Sequence, residues 1–216
     1  MKNLMPLLLC LFVGSCQNGN TYDDAQRKAV DLSKLETQQV NRPLIQQYKD
    51  GDIRFFDDSD MVIGNIEGIN RIPSVETGDI RLESKAKGDV RTYSHKGSSR
   101  YRVVYENNAF SLTDAGKNFL YKITVSGNRI RIANDKEVSN YYEISAQKDS
   151  QAKIMYRNSV LGNMYFMDEG HFISAFNKRY TNEDTQYHAS YSIIGLSKIP
   201  LEQRLIMITE LIQMGY

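Results

Sequence analysis

Three histidines, two cysteines and a run of carboxylates are the residues of this 216-residue chain with the most obvious chemistry. His95, His171 and His188 follow no HExxH or HxH spacing, so local geometry alone brings no two imidazoles to one metal ion. Folding residues 171–177 onto 187–194 around a turn at 181–184 would set His188 opposite Asn177 and His171 opposite Ile194, several pairs apart. Asp168, Glu169 and His171 fall at one turn, and an Asp–His pair can orient a general base. That base would need a nucleophile, and the chain carries no GxSxG or SxxK motif to supply one. Asp57-Asp58-Ser59-Asp60 offers oxygen ligands for calcium, but an EF-hand loop counted from Asp57 would put Val62 and Gly68 where Gly and Glu are required. A solvated turn between two strands accounts for the run better. No Gly-rich loop ends in GK[ST] to cradle a phosphate. These residues predict no metal, no cofactor and no assignable catalytic side chain, and they lean away from an enzyme.

The cysteines carry a different message. Residues 1–16 read MKNLMPLLLCLFVGSC, with Lys2 as the only charge and a ten-residue apolar run over 4–13. A membrane-spanning helix needs about 20 apolar residues, so the run is too short to span and has the plan of a secretory signal peptide. Val13-Gly14-Ser15-Cys16 resembles the lipobox of bacterial lipoproteins: an aliphatic residue, two small residues, then cysteine. The resemblance implies cleavage before Cys16 and lipid on its sulfur and its new amino terminus, so that the membrane is a partner through lipid on Cys16. Several acyl chains hold a protein on a bilayer where a single chain is marginal. Gln17 follows the cysteine; the sorting rule of Gram-negative lipoproteins reserves inner-membrane retention for Asp there, so the resemblance implies an outer-membrane address in such a cell. The expected organisation is a signal peptide at 1–15, a lipidated tether at 16–22 and one domain at 23–216. Loss of 1–15 removes Cys10, and acylation consumes Cys16, which leaves the body no thiol for a disulfide or a cysteine metal site.

The charge balance narrows the partners. There are 27 basic and 26 acidic residues, and loss of Lys2 with the leader brings the mature chain to balance. A nucleic-acid binder carries a basic surplus, so none is expected. With 41% hydrophobic and 25% charged residues the composition is that of one globular domain.

The elements that must position these residues alternate with period two over most of the chain. A helix is expected from Asp23 or Asp24 to about residue 40, with sparse apolar positions, and Pro43 opens a further turn. Strands follow near 52–56, 61–66, 79–84, 89–95 and 100–106. Gly127-Asn128 supplies a two-residue turn pairing Val125 with Ile130 and Ile123 with Ile132. A five-residue loop at 147–151 pairs Tyr142 with Tyr156, Ile144 with Ile154, and Ala146 with Ala152. A turn at Asp168-Glu169-Gly170 sets Phe166 against Phe172. At the end, residues 200–214 form a helix with Pro200 in its first turn. Its apolar residues cover about half the wheel, with Arg204 at the edge and Ile206 on the polar side.

These patterns predict an α+β domain: a large antiparallel meander sheet, barrel-like or sandwich, with an N-terminal helix and a C-terminal apolar helix packed on it. The C-terminal helix either closes an open sheet face or barrel mouth, or is offered to an envelope protein partner. Eleven of fourteen tyrosines lie between Tyr93 and Tyr191; most serve as packing, and Tyr142, Tyr156, Phe166 and Phe172 become ligand-binding candidates if they share one cavity. The expected function is a membrane-anchored envelope lipoprotein acting as a non-enzymatic binding or assembly module. The alternatives left open are a lipocalin-like carrier of an apolar molecule, a carboxylate- or His-dependent hydrolase, and an immunity protein against a secreted toxin.

Overall fold

The computed structural model describes residues 52–148, 151–167 and 170–216. The signal peptide, Cys16, the tether, the expected N-terminal helix and the Asp168-Glu169 pair lie outside the described residues. Fourteen strands follow one another: β1 (Ile53–Phe56), β2 (Val62–Glu67), β3 (Ser74–Thr77), β4 (Ile80–Lys87), β5 (Val90–His95), β6 (Ser98–Glu106), β7 (Ala109–Asp114), β8 (Phe119–Ser126), β9 (Arg129–Ala133), β10 (Tyr141–Lys148), β11 (Gln151–Tyr156), β12 (Ser159–Met167), β13 (Gly170–Ala175) and β14 (Lys178–Asn182). Each pairs antiparallel with its sequence neighbours, and β14 pairs back onto β1, so the meander closes into a barrel. A 3₁₀ segment (Ala189–Gly195) and one helix, α1 (Leu201–Gln213), complete the described chain.

Register follows the turn chemistry. Gly127 takes φ 57°, and the β8–β9 hairpin pairs Val125 with Ile130 and Ile123 with Ile132 as the alternation requires. The β10–β11 hairpin pairs Ile144 with Ile154 and Tyr142 with Tyr156 as expected, but the loop is shorter than the five residues expected over 147–151: after a register shift between Ala146 and Lys148, Lys148 pairs with Gln151. Two other hairpins differ from expectation. Met167 pairs with Gly170, so only two residues separate β12 from β13 and Phe166 faces His171, not Phe172. A one-residue slip exchanges the faces of a strand, and Phe172 therefore points outward. The strand expected over 171–177 stops early because Phe176 (φ 52°) and Asn177 (φ 61°) make a two-residue left-handed turn. Residues 178–182 return as β14, and 187–194 forms no strand with β13. A bulky Phe in that conformation is rare, which is why the turn is hard to read.

The alternation puts Leu82, Tyr93, Val103, Phe110, Leu112, Ile123, Ile132, Ile144, Ile154 and Ile173 inside, all fully buried. Eight strands enclose a space that side chains alone can fill, and the diameter grows with strand number. Fourteen leave a wider lumen, and α1 occupies it. Every residue from Gln203 to Ile212 is buried, a pattern possible only for a helix surrounded on all sides. The expected site on a sheet face or mouth is thus corrected to the barrel interior. Ile206 is fully buried, which resolves its place on the polar side of the wheel. The 3₁₀ segment fills the rest, against β10–β14. There a Cβ on Gly195 would stand 2.9 Å from the Ala175 Cβ, so wall and plug touch.

Burying a Leu or Ile side chain contributes roughly 1.5–3 kcal/mol, and truncating one adds a cavity term. Leu205→Ala and Ile208→Ala are each expected to lower stability by about 2–5 kcal/mol, read from urea midpoints. Val160→Ala, at a position 56% exposed, is expected to change it by less than about 0.5 kcal/mol.

Candidate functional site

A helix enclosed on all sides brings its polar residues into the lumen, and each needs a partner there. Glu210 has no exposed side-chain surface. Tyr93 donates its hydroxyl to Glu210 Oε1 at 2.5 Å, and Tyr105 donates to Oε2. Arg91 Nη1 stands 3.4 Å from Oε1 and donates to Gln213 Oε1 as well. These three wall residues come from β5 and β6, where alternation turns Arg91, Tyr93 and Tyr105 inward. Burial pushes the Glu210 carboxyl up; Arg91 and the two hydroxyls oppose that without overcoming it. Burial and the nearby Glu210 push both tyrosines up, so each stays a donor.

Two further contacts tie α1 to its surroundings. Tyr101 donates to Glu202 Oε1 at 2.9 Å, and Arg204 Nη1 donates to the Ile194 carbonyl in the 3₁₀ segment. Thr209 returns its hydroxyl to the Leu205 carbonyl at 2.7 Å. The tyrosine richness seen in the sequence thus has a cause beyond packing: Tyr93, Tyr101 and Tyr105 satisfy the polar side of the plug.

Two of the three histidines, His171 and His188, meet at the barrel end where β1 begins, whereas His95 Nδ1 lies 3.0 Å from the Arg81 carbonyl. His171 Nδ1 lies 2.8 Å from Asn182 Oδ1, which also accepts the Asp184 N–H at 3.2 Å. That second bond fixes the amide orientation, so His171 carries its proton on Nδ1. Its Nε2 accepts the His188 N–H at 3.5 Å. The expectation of distant histidines is therefore corrected; with β14 in place of the long hairpin, the chain recrosses β13 and sets His188 beside His171. Both ring nitrogens of His171 are used, and the ring packs edge-on against Tyr191 with centroids 4.6 Å apart. Tyr191 donates to Asp184 Oδ2. His188 Nδ1 and Ser190 Oγ both reach the Tyr216 carbonyl, at 3.2 and 3.0 Å. Burial pushes the His188 imidazole down, against the pull of Asp184. The arrangement fastens the end of the chain over the lumen.

The four aromatic candidates do not converge. Tyr142 and Tyr156 pair at 5.1 Å near one end of the barrel, where Tyr156 donates to Asn140 Oδ1 at 2.7 Å. Phe166 lies at the opposite end against His171, 4.7 Å between centroids, and Phe172 is on the outer wall. The Asp57 run forms a turn in which Asp57 Oδ1 accepts the N–H groups of Ser59 and Met61 at 2.9 and 3.1 Å. No three His, Cys, Asp or Glu side chains among the described residues are placed to hold a metal ion. Sequence reasoning missed Glu210, Arg91, Tyr93 and Tyr105. The α1 wheel, with Ile206 on its polar side, hinted at enclosure of the helix but at none of these four residues. Comparison with protein-family models, curated proteins and solved structures finds no match in any of the three.

A raised Glu210 pKa means that the folded protein holds a proton the unfolded chain has released. Its contribution to stability is full below the ordinary carboxyl value of 4.5 and is lost as pH rises through the folded value. Glu210→Gln cannot ionise, so its stability is expected to fall less steeply above that value, measured by urea unfolding from about pH 4 to 8. Equal slopes in the two proteins would contradict the assignment.

Proposed function

We propose that this chain is a lipid-anchored protein of the bacterial envelope, working as a non-enzymatic binding or assembly module through the outer wall of its barrel. The observation that carries the reading is the occupied lumen. A carrier needs interior space, and α1 with the 3₁₀ segment takes it. The helix expected to meet a partner is buried from Gln203 to Ile212, so a partner must use another surface.

The outer wall supports a lipid anchor. Its positions include Arg81, Glu83, Lys85, Arg102, Lys122 and Lys153, alternating with the buried residues. A barrel that crosses a membrane presents an apolar band outward; this wall presents charge. No helix among the described residues is long and apolar enough to cross a membrane. The attachment proposed is the one that the lipobox-like VGSC implies, lipid on Cys16.

Intact-mass measurement on protein from its native cell is expected to show a chain beginning at Cys16 with acyl groups attached. Cys16→Ser is expected to move the protein from the membrane to the soluble fraction. An uncut leader, or a bare thiol at Cys16, contradicts the anchor.

A further inference from the structure

The ladders place one uninterrupted row of polar side chains across half of the outer wall. Directly opposed pairs link Ser126 to Arg129, Arg129 to Ser145, Ser145 to Lys153, Lys153 to Asn163, Asn163 to Ser174 and Ser174 to Arg179. The row crosses β8 to β14 and contains no carboxylate. Lys153 and Arg179 are exposed, and no ion pair among the described residues engages either. Glu143, one row away, is held by Arg131 at 2.8 Å and lies 3.8 Å from Arg129. At the start of the row, Thr124, Ser126, Arg129 and Arg131 line a depression of about 210 Å³. Gln147 covers Ser145, donating to its hydroxyl at 3.0 Å, so the row stays polar there.

A second row runs alongside on the side nearer the histidines. It pairs Tyr165 with Phe172, Phe172 with Thr181, and Thr181 with Phe56. These three aromatic rings face outward and stand partly exposed, outside the buried core. Phe56 in turn opposes Val62, which is 53% exposed. Large apolar side chains on the wet face of a sheet mark a surface for something else.

We propose that these two rows form the binding track for an acidic polysaccharide, and so name the partner of the binding module proposed above. The aromatic faces would take the C–H faces of sugar rings, Asn163 and Ser174 the hydroxyls, and Lys153, Arg179 and Arg129 the carboxylate or sulfate groups. Shape and spacing favour this occupant. The polar row spans seven of fourteen strands, so it curves around half the barrel; a flat bilayer touches only part of it, whereas a flexible chain follows it. At about 4.8 Å per strand, the cations are spaced by about 10 and 14 Å. That meets every second or third ring of a polymer with one carboxylate per sugar, and is far sparser than nucleic-acid phosphates, which recur about every 3.4 Å along a duplex strand.

The test is affinity electrophoresis of the full chain in detergent through gels containing polygalacturonate, with neutral dextran as control. Retardation by polygalacturonate alone is expected. Lys153→Glu with Arg179→Glu is expected to weaken it at least tenfold, as is Tyr165→Ser with Phe172→Ser. All four residues face outward, and an unchanged Tm in each double variant confirms folding. Absence of retardation overturns the proposal, as does retardation that the charge-reversed variant retains. Tighter binding to poly(dT) or to phosphatidylglycerol vesicles than to polygalacturonate also overturns it. Because binding is read on purified protein whatever the state of Cys16, its failure is separable from failure of the anchor.

Discussion

A closed wall of fourteen strands commits the chain to filling what it encloses. Inward-facing side chains cannot meet across so wide a lumen, and an unfilled apolar interior forfeits contacts all along its lining. The chain meets the demand with its own last segment, and that choice governs the rest. A helix inserted into a barrel is surrounded on every face, so its polar residues become interior residues. The wall must answer them, which it does with Tyr93, Tyr105 and Arg91 on Glu210. The His171–His188–Tyr216 contacts then hold the end of the chain in place. The tyrosines, the buried carboxyl and the histidine cluster are consequences of one packing problem.

Strand pairing was legible where the facing residues left one good register. Gly127-Asn128 sets the β8–β9 register, and the facing isoleucines set the β10–β11 pairing, though a bulge after Ala146 carries the strands on to Lys148 and Gln151 and shortens the expected loop. Legibility failed at Phe176-Asn177, where a bulky residue adopts a left-handed conformation that its type disfavours. It failed again at β12–β13, where the tight connection shifted Phe172 to the outer face. The helix was legible as an element. Its place was not, because an apolar arc covering half a wheel describes a surface helix as well as a buried one; only Ile206 on the wrong side argued for enclosure. The Glu210 cluster could not be read at all, since its members meet only after closure, more than 100 residues apart in sequence.

Filling the interior leaves the exterior as the surface on which the proposed function rests. A barrel that holds a ligand keeps its lumen open, and one that crosses a membrane turns its apolar residues outward. This wall turns charge outward with one aromatic row among it, and the body is proposed to reach the bilayer through lipid at Cys16. On the proposed reading the protein works as a tethered surface, its chemistry carried by side chains whose spacing the sheet fixes.

Enclosure of α1 is the claim on which this account stands, and native-state hydrogen exchange tests it most directly. The amides of Leu205 to Leu211 are predicted to exchange only through global unfolding, with the same free energy as the central wall strands. Exchange of those amides at a markedly lower free energy than β6 and β8 would show a helix that leaves the barrel while the wall stays closed, and would contradict the account.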